Sequence, residues 1–72
     1  MKRKYTVSFD VQRKKWILKH DGTEKVLRSF DTKEAATRAG ALRKAIGRQG
    51  GKVTIRSLGG AYEEERMFEE VS

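Results

Sequence analysis

The sequence has no cysteine, and its apolar residues never run for more than three positions. Without cysteine the chain forms neither disulfides nor thiolate metal sites, which is typical of proteins from a reducing cytosol. The longest apolar run, Trp16 to Leu18, is far too short for a signal peptide or a membrane span. We therefore expect a soluble cytoplasmic protein with no membrane partner.

Groups suited to catalysis or metal binding are equally scarce. The one histidine, His20, stands beside an Asp-Gly turn, so the usual nitrogen and sulfur ligands of a metal site are missing. The acidic residues are mostly consecutive or terminal, without a buried pair whose environments would separate an acid from a base. The glycines match neither a phosphate-binding loop nor a dinucleotide-binding motif. We expect no enzyme activity, no metal, no cofactor and no small-molecule substrate.

The charge is strongly basic and unevenly spread along the chain. Seventeen Lys and Arg oppose ten Asp and Glu in 72 residues, a net charge of +7. Residues 1–28 carry a net +6, residues 29–50 carry +3, and residues 51–72 carry −2. A positive field attracts polyanions, and nucleic acid is the commonest polyanion in a cytosol. Charge alone leaves the ligand open, because many small basic proteins bind no polyanion.

The first part of the chain is predicted to form three strands. Apolar and polar residues alternate over residues 5–11 and 15–19, the period of a strand with one buried face. Asp21 and Gly22 form the strongest short hairpin signal, because both central positions of such a turn can take a positive φ. Residues 24–29 should then return as the third strand.

A single helix is predicted over residues 31–49. Asp31 can cap the first turn while Glu34 reaches back toward it, and the paired glycines at Gly50 should end the helix. Gly40 weakens this helix by about 1 kcal/mol relative to alanine. One side carries an apolar stripe that should face the sheet: Ala35, Ala39, Leu42 and Ile46. The other side carries basic residues that should point to solvent: Lys33, Lys44 and Arg48.

Two further strands are predicted over residues 52–57 and 61–68, joined by a tight glycine turn. The order β-β-β-α-β-β indicates an α+β domain of two layers, with one helix on one face of an antiparallel sheet. The expected single domain, 1–72, divides into a basic arm (1–4), three strands (5–29), a helix (31–49), two strands (52–68) and an acidic tail (69–72). The other sheet face should be open to a ligand or partner.

The whole pattern resembles a family of small prokaryotic and phage proteins known only as a domain of unknown function, a ββαββ-like unit. The likeness spans residues 5–68. It is carried by Y-T-V in the first strand, a tryptophan in the second, S-F-D-T-K-E-A-A at the helix start, and G-G-K-V-T-I-R-S-L-G-G-A-Y-E-E-E-R-M-F. The resemblance implies a fold, and that family supplies no activity or catalytic residues.

A second likeness covers residues 1–48. Three strands followed by F-D-T-K-E-A-A and a helix look like the arm-binding domains of tyrosine integrases and the plant ethylene-response DNA-binding domain. That resemblance implies a three-stranded sheet lying in the major groove of DNA with the helix behind it. It is a likeness of architecture, and architecture does not fix function. Residues 49–72 have no counterpart in it.

Basic residues of the first three strands are the candidate nucleic-acid contacts. Strand alternation places Trp16 with Leu18 in the core and turns Lys15, Ile17 and Lys19 to the open face, where successive side chains stand about 7 Å apart. Such lysines suit phosphate contacts, and they equally suit a solvated strand protected from aggregation. The full candidate set is Lys2, Arg3, Lys4, Arg13, Lys14, Lys15, Lys19, Lys25 and Arg28.

From the sequence we expect a small basic non-enzymatic protein that binds nucleic acid, with duplex DNA as the favoured ligand, mainly through phosphates. The alternative is a protein-interaction or self-association module of phage or prokaryotic accessory type, acting as a homodimer or with another protein.

Overall fold

The computed structural model describes residues 3–38 and 40–70. Five strands and two short helices form an α+β domain: β1 (Lys4–Asp10), β2 (Lys15–His20), β3 (Val26–Phe30), α1 (Lys33–Thr37), α2 (Ala41–Ile46), β4 (Gly51–Arg56) and β5 (Tyr62–Phe68). The predicted α+β class and the fifth strand are confirmed. Lys2 of the basic arm and the end of the acidic tail lie outside the described residues.

The sheet is mixed, so the prediction of an antiparallel sheet is wrong in this respect. Its strand order is β3-β2-β1-β4-β5. β1 pairs with β4 in parallel, while the other three pairs are antiparallel. The physical reason is that the helical segment carries the chain from one end of the sheet to the other, as parallel pairing requires. β4 therefore enters beside β1 in the same direction, and β3 and β5 become the edges.

The core lies between the sheet and the helices. Its buried members are Tyr5, Val7, Trp16, Leu18, Ala36, Leu42, Ile46, Val53 and Ile55. Trp16 is only 8% exposed and contacts Phe9 edge to face, with ring centroids 5.4 Å apart. The prediction that Trp16 packs in the core is confirmed. Burying each large apolar side chain stabilises the fold by about 1.5–3 kcal/mol.

The predicted single helix is broken into two, so the range 31–49 is wrong. The chain leaves α1 at Arg38, which is extended (φ −61°, ψ 145°), and Gly40 has φ +88° before α2 begins. A left-handed residue cannot continue a right-handed helix, and glycine adopts this conformation without steric cost. The second helix ends at Gly47 and not at Gly50, because Gly47 takes φ +77° and caps the helix.

The start of the helix also differs from the prediction. Thr32 is the N-cap, and its Oγ1 accepts a hydrogen bond of 3.0 Å from the amide of Ala35. Asp31 stands one residue earlier, and its carboxylate binds a lysine of β2. Because helix α1 begins at Lys33, the side chain it buries is Ala36, while Ala35 is half-buried. Leu42 and Ile46 are buried as predicted, and Ala39 lies outside the described residues.

Lys33 was predicted to point to solvent and instead lies over the core. Its ammonium is 6.0 Å from the centre of the Trp16 ring and pairs with the Glu63 carboxylate. A second link joins the same two elements, since Arg66 of β5 donates a 2.7 Å hydrogen bond to the carbonyl of Thr37. These contacts fix α1 over the sheet. Lys44 and Arg48 are exposed, as predicted.

The hairpin between β2 and β3 is longer than the Asp-Gly signal predicts. The connection occupies residues 21–25, and β3 begins at Val26 and not at Glu24. The positive φ belongs to Glu24 (+59°), and neither Asp21 nor Gly22 has one. The Thr6 hydroxyl donates a 2.7 Å hydrogen bond to Asp21, which holds the loop against β1 and favours this wider turn.

Candidate anion-binding surface

The sheet face opposite the helices carries the two predicted lysines of β2. Since Trp16 and Leu18 lie in the helix-side core, Lys15 and Lys19 point the other way. Ile17 lies between them and is only 3% exposed. Cross-strand neighbours on this face are mainly hydroxyl residues, namely Thr6 and Ser8 on β1 and Ser29 on β3. The face is therefore polar.

Lys15 is held by an acidic partner. Its Nζ donates a 2.7 Å hydrogen bond to Oδ1 of Asp31. This hydrogen bond, and then the positive charge of Lys15, hold the pKa of the Asp31 carboxyl below its ordinary value of 3.8. At neutral pH the Asp31 carboxylate therefore compensates the positive charge of Lys15.

Other cations in and around this face have acidic partners too. Nζ of Lys19 lies 3.4 Å from Glu24 Oε2, and Nε of Arg13 lies 3.7 Å from Asp10 Oδ2. On β4, Lys52 pairs with Glu65 of β5 at 3.0 Å. Exposed pairs of this kind contribute little to stability, but they cancel much of the positive field above the sheet.

Four more of the predicted contacts are exposed at the two ends of the sheet. Lys14 stands at the tip of the first hairpin with φ +56°, and its amide donates to the carbonyl of Asp10 at 2.7 Å. Lys25 ends the second hairpin loop. Arg3 precedes β1 at the same end of the sheet as Lys25. Lys4 is the first residue of β1 and points to the open face, because Tyr5 beside it lies in the core. The structure therefore divides the predicted set into separate groups.

Arg28 belongs to a different surface. It lies opposite Leu18 in the sheet register, so its side chain points to the helix side of the edge strand β3. There it contributes to a groove of about 660 Å³ between β3 and the helices. The groove is lined by Arg28, Ser29, Phe30, Ala35, Arg38, Gly40, Ala41 and Lys44. Three of these residues are cations, and none is acidic.

The break at Gly40 opens this groove. Arg38 is extended and Gly40 is left-handed, so α2 does not continue along the axis of α1. This change of direction leaves a gap beside the edge strand β3. Small residues border the gap, since Gly40 has no side chain and Ala41 has only a methyl group. A continuous helix over the same residues would instead present successive turns to β3.

The three groove cations are free to bind an external anion. Within residues 3–38 and 40–70, the side chains of Arg28, Arg38 and Lys44 make no hydrogen bond or ion pair. All three residues are exposed. An anion would thus gain charge-assisted hydrogen bonds without displacing a carboxylate, unlike an anion that approaches Lys15 or Lys19.

Sequence reasoning selected Arg28 but missed Arg38 and Lys44 as site residues. Lys44 was identified only as a solvent-facing helix residue. The available signal was the weak helix position at Gly40, which predicts where the helix can break. That signal does not predict the direction of the helix after the break. It therefore did not indicate that Arg28 and Lys44 would line the same groove.

The function of this site is inferred from its chemistry, because comparisons with known proteins found no match. The chain has no significant match to a protein-family model, a curated protein or a solved structure. Among the described residues, no helix has the length and apolar character needed to cross a membrane. The same residues contain no cluster of three His, Asp or Glu able to hold a metal ion. Unpaired cations beside an apolar wall favour an anionic ligand.

Proposed function

We propose that this chain is a small non-enzymatic nucleic-acid-binding protein that contacts phosphates, with duplex DNA as the general ligand. The observation that carries the proposal is the grouping of Arg28, Arg38 and Lys44 around one groove without an acid. Lys25 lies just before the same edge strand. We call these four residues the basic edge.

Charge and geometry support phosphate binding at the basic edge. A guanidinium presents donors in a planar fork that matches two phosphate oxygens, and a lysine adds a point charge. Each phosphate neutralised releases condensed counterions, which drives binding without reading the base sequence. The proposal therefore implies strong salt dependence and weak sequence preference. A cytoplasmic location is part of the same proposal.

The proposed contact surface differs from that of the integrase arm-binding architecture. In that architecture the exposed face of the three-stranded sheet lies in the major groove. Here Lys15 and Lys19 of that face already have carboxylate partners, and each phosphate contact would have to compete with Asp31 or Glu24. Edge binding avoids this competition, so we assign the sheet face a secondary role.

A salt titration tests the proposal. Labelled duplex DNA is titrated with the protein at several salt concentrations, and fluorescence anisotropy gives the affinity. If each residue of the basic edge neutralises one phosphate, log affinity falls linearly with log salt at a slope of about −3.6. Absence of binding at low salt would contradict the proposal, as would an affinity that is independent of salt.

A protein-interaction module is the second candidate, supported by a separate surface. Val11, Leu58 and Tyr62 are 74%, 67% and 62% exposed. They lie at one end of the sheet, because the parallel strands β1 and β4 finish there and β5 begins there. Exposed apolar residues grouped in this way are typical of partner contacts. The same titration distinguishes nucleic-acid binding from protein interaction, because a protein that acts only through this apolar surface should not bind DNA.

A further inference from the structure

We infer that the groove beside the basic edge accepts one unpaired nucleotide, so that the protein prefers single-stranded DNA or strand ends to continuous duplex. This inference rests on the proposed nucleic-acid function and adds a more tightly bound form of DNA to the duplex that the basic edge contacts through phosphates. It concerns the groove itself, whereas the salt-dependent contacts of the proposed function need only the cations at its rim.

The dimensions of the groove favour a nucleotide-sized ligand. Sites for small ligands commonly enclose about 300–1,000 Å³, and this groove has about 660 Å³. It is concave and lies between a strand and a helix. A base paired within a duplex cannot enter such a space unless it leaves the stack, whereas a base in a single strand is free to do so.

The residues that line the groove can contact both the base and the phosphate of a nucleotide. Phe30 is half-buried, packs against the core and contributes to the groove wall. A fixed aromatic ring is the side chain on which unpaired bases stack in single-strand-binding proteins. Arg28 and Arg38 can bind the phosphate or stack on a base. The methyl groups of Ala35 and Ala41 leave room for close approach.

Filling the groove without changing its charge provides the test. In Ala41→Leu a larger side chain occupies the groove, while Arg28, Arg38 and Lys44 are kept. Ala61→Leu is the matched control, because Ala61 is exposed and does not line the groove. Affinities are measured by fluorescence anisotropy for a labelled single strand and for the duplex of the same sequence at one salt concentration, after circular dichroism confirms that both variants are folded.

We expect the single strand to bind wild type about 10-fold more tightly than the duplex, and Ala41→Leu to remove this preference by weakening only single-strand binding. Ala61→Leu should behave like wild type. Adenosine 5′-monophosphate should also displace the labelled single strand at concentrations where inorganic phosphate does not.

Two outcomes would overturn the inference in distinguishable ways. Equal binding of both DNA forms, unchanged in Ala41→Leu, would refute the nucleotide groove and leave the proposed nucleic-acid function standing. No binding of either form at low salt would refute the proposed function together with the groove.

Discussion

Replacing Gly51 with alanine is expected to remove most of the stability of the domain. Gly51 begins β4 with φ +145°, and a Cβ built there lies 2.6 Å from the carbonyl oxygen of Arg3 and 2.8 Å from the Tyr5 ring. Backbone strain at a non-glycine residue costs about 1–3 kcal/mol. Overpacking beside the buried Tyr5 adds about 1–3 kcal/mol more. A domain of this size has a total margin of only about 3–5 kcal/mol.

Thermal unfolding followed by circular dichroism measures this effect. We expect the Tm of Gly51→Ala to fall by about 15 °C or more, or the variant to be unfolded at room temperature. Gly59→Ala is the control, because no atom lies within 4 Å of its built Cβ and its φ is not in the positive region. Its stability should change by less than about 0.5 kcal/mol. A Gly51→Ala protein as stable as this control would contradict the close packing of β4 against β1.

Neutralising Arg38 and Lys44 is expected to cause the largest loss of nucleic-acid binding. Each hydrogen bond to a charged group is worth about 1.5–3 kcal/mol, so Arg38→Gln/Lys44→Gln should weaken the duplex affinity by about 100-fold or more at low salt. Neither side chain has a partner among the described residues. The fold should therefore be unaffected, and the salt slope should become shallower by about 2.

Lys15→Gln/Lys19→Gln is the matched control, because it also removes two positive charges and so gives the same net charge as Arg38→Gln/Lys44→Gln. Both lysines have carboxylate partners, so their loss should weaken binding only several-fold, through the overall charge. Anisotropy titrations of the two double variants at one salt concentration make the comparison. Equal losses would mean that net charge alone governs binding, and a larger loss in the lysine variant would move the site to the open sheet face.

The strands and the core could be predicted because they depend on local alternation. Tyr5, Val7, Trp16 and Leu18 follow the period of two, and each is buried in the structure. The prediction is wrong at Val11, because β1 ends at Asp10 and Val11 is 74% exposed in the following turn. The fifth strand was predicted from the tight glycine turn that precedes it, and it lies at an exposed edge of the sheet. Alternation is a reliable signal because a strand with one buried face needs apolar residues at every second position.

The parallel pairing and the helix break could not be predicted with the same reasoning. Whether β4 joins β1 or β3 depends on where the helical segment delivers the chain, which is a property of three-dimensional packing. Gly40 was recognised as a weak point, but its φ of +88° depends on the packing on either side. The groove arises from these two features together, so its residues at 28, 38 and 44 had no common signature in the sequence.

The most direct test of the account is a ¹⁵N–¹H NMR titration of the labelled protein with a short DNA oligonucleotide at low salt. Chemical-shift changes are followed for each backbone amide. We expect the largest changes at Arg28, Phe30 and Arg38 and across residues 40–44, with smaller changes at Lys15 and Lys19. Changes confined to the first hairpin and the open sheet face, or no changes at all, would contradict a nucleic-acid site at the basic edge.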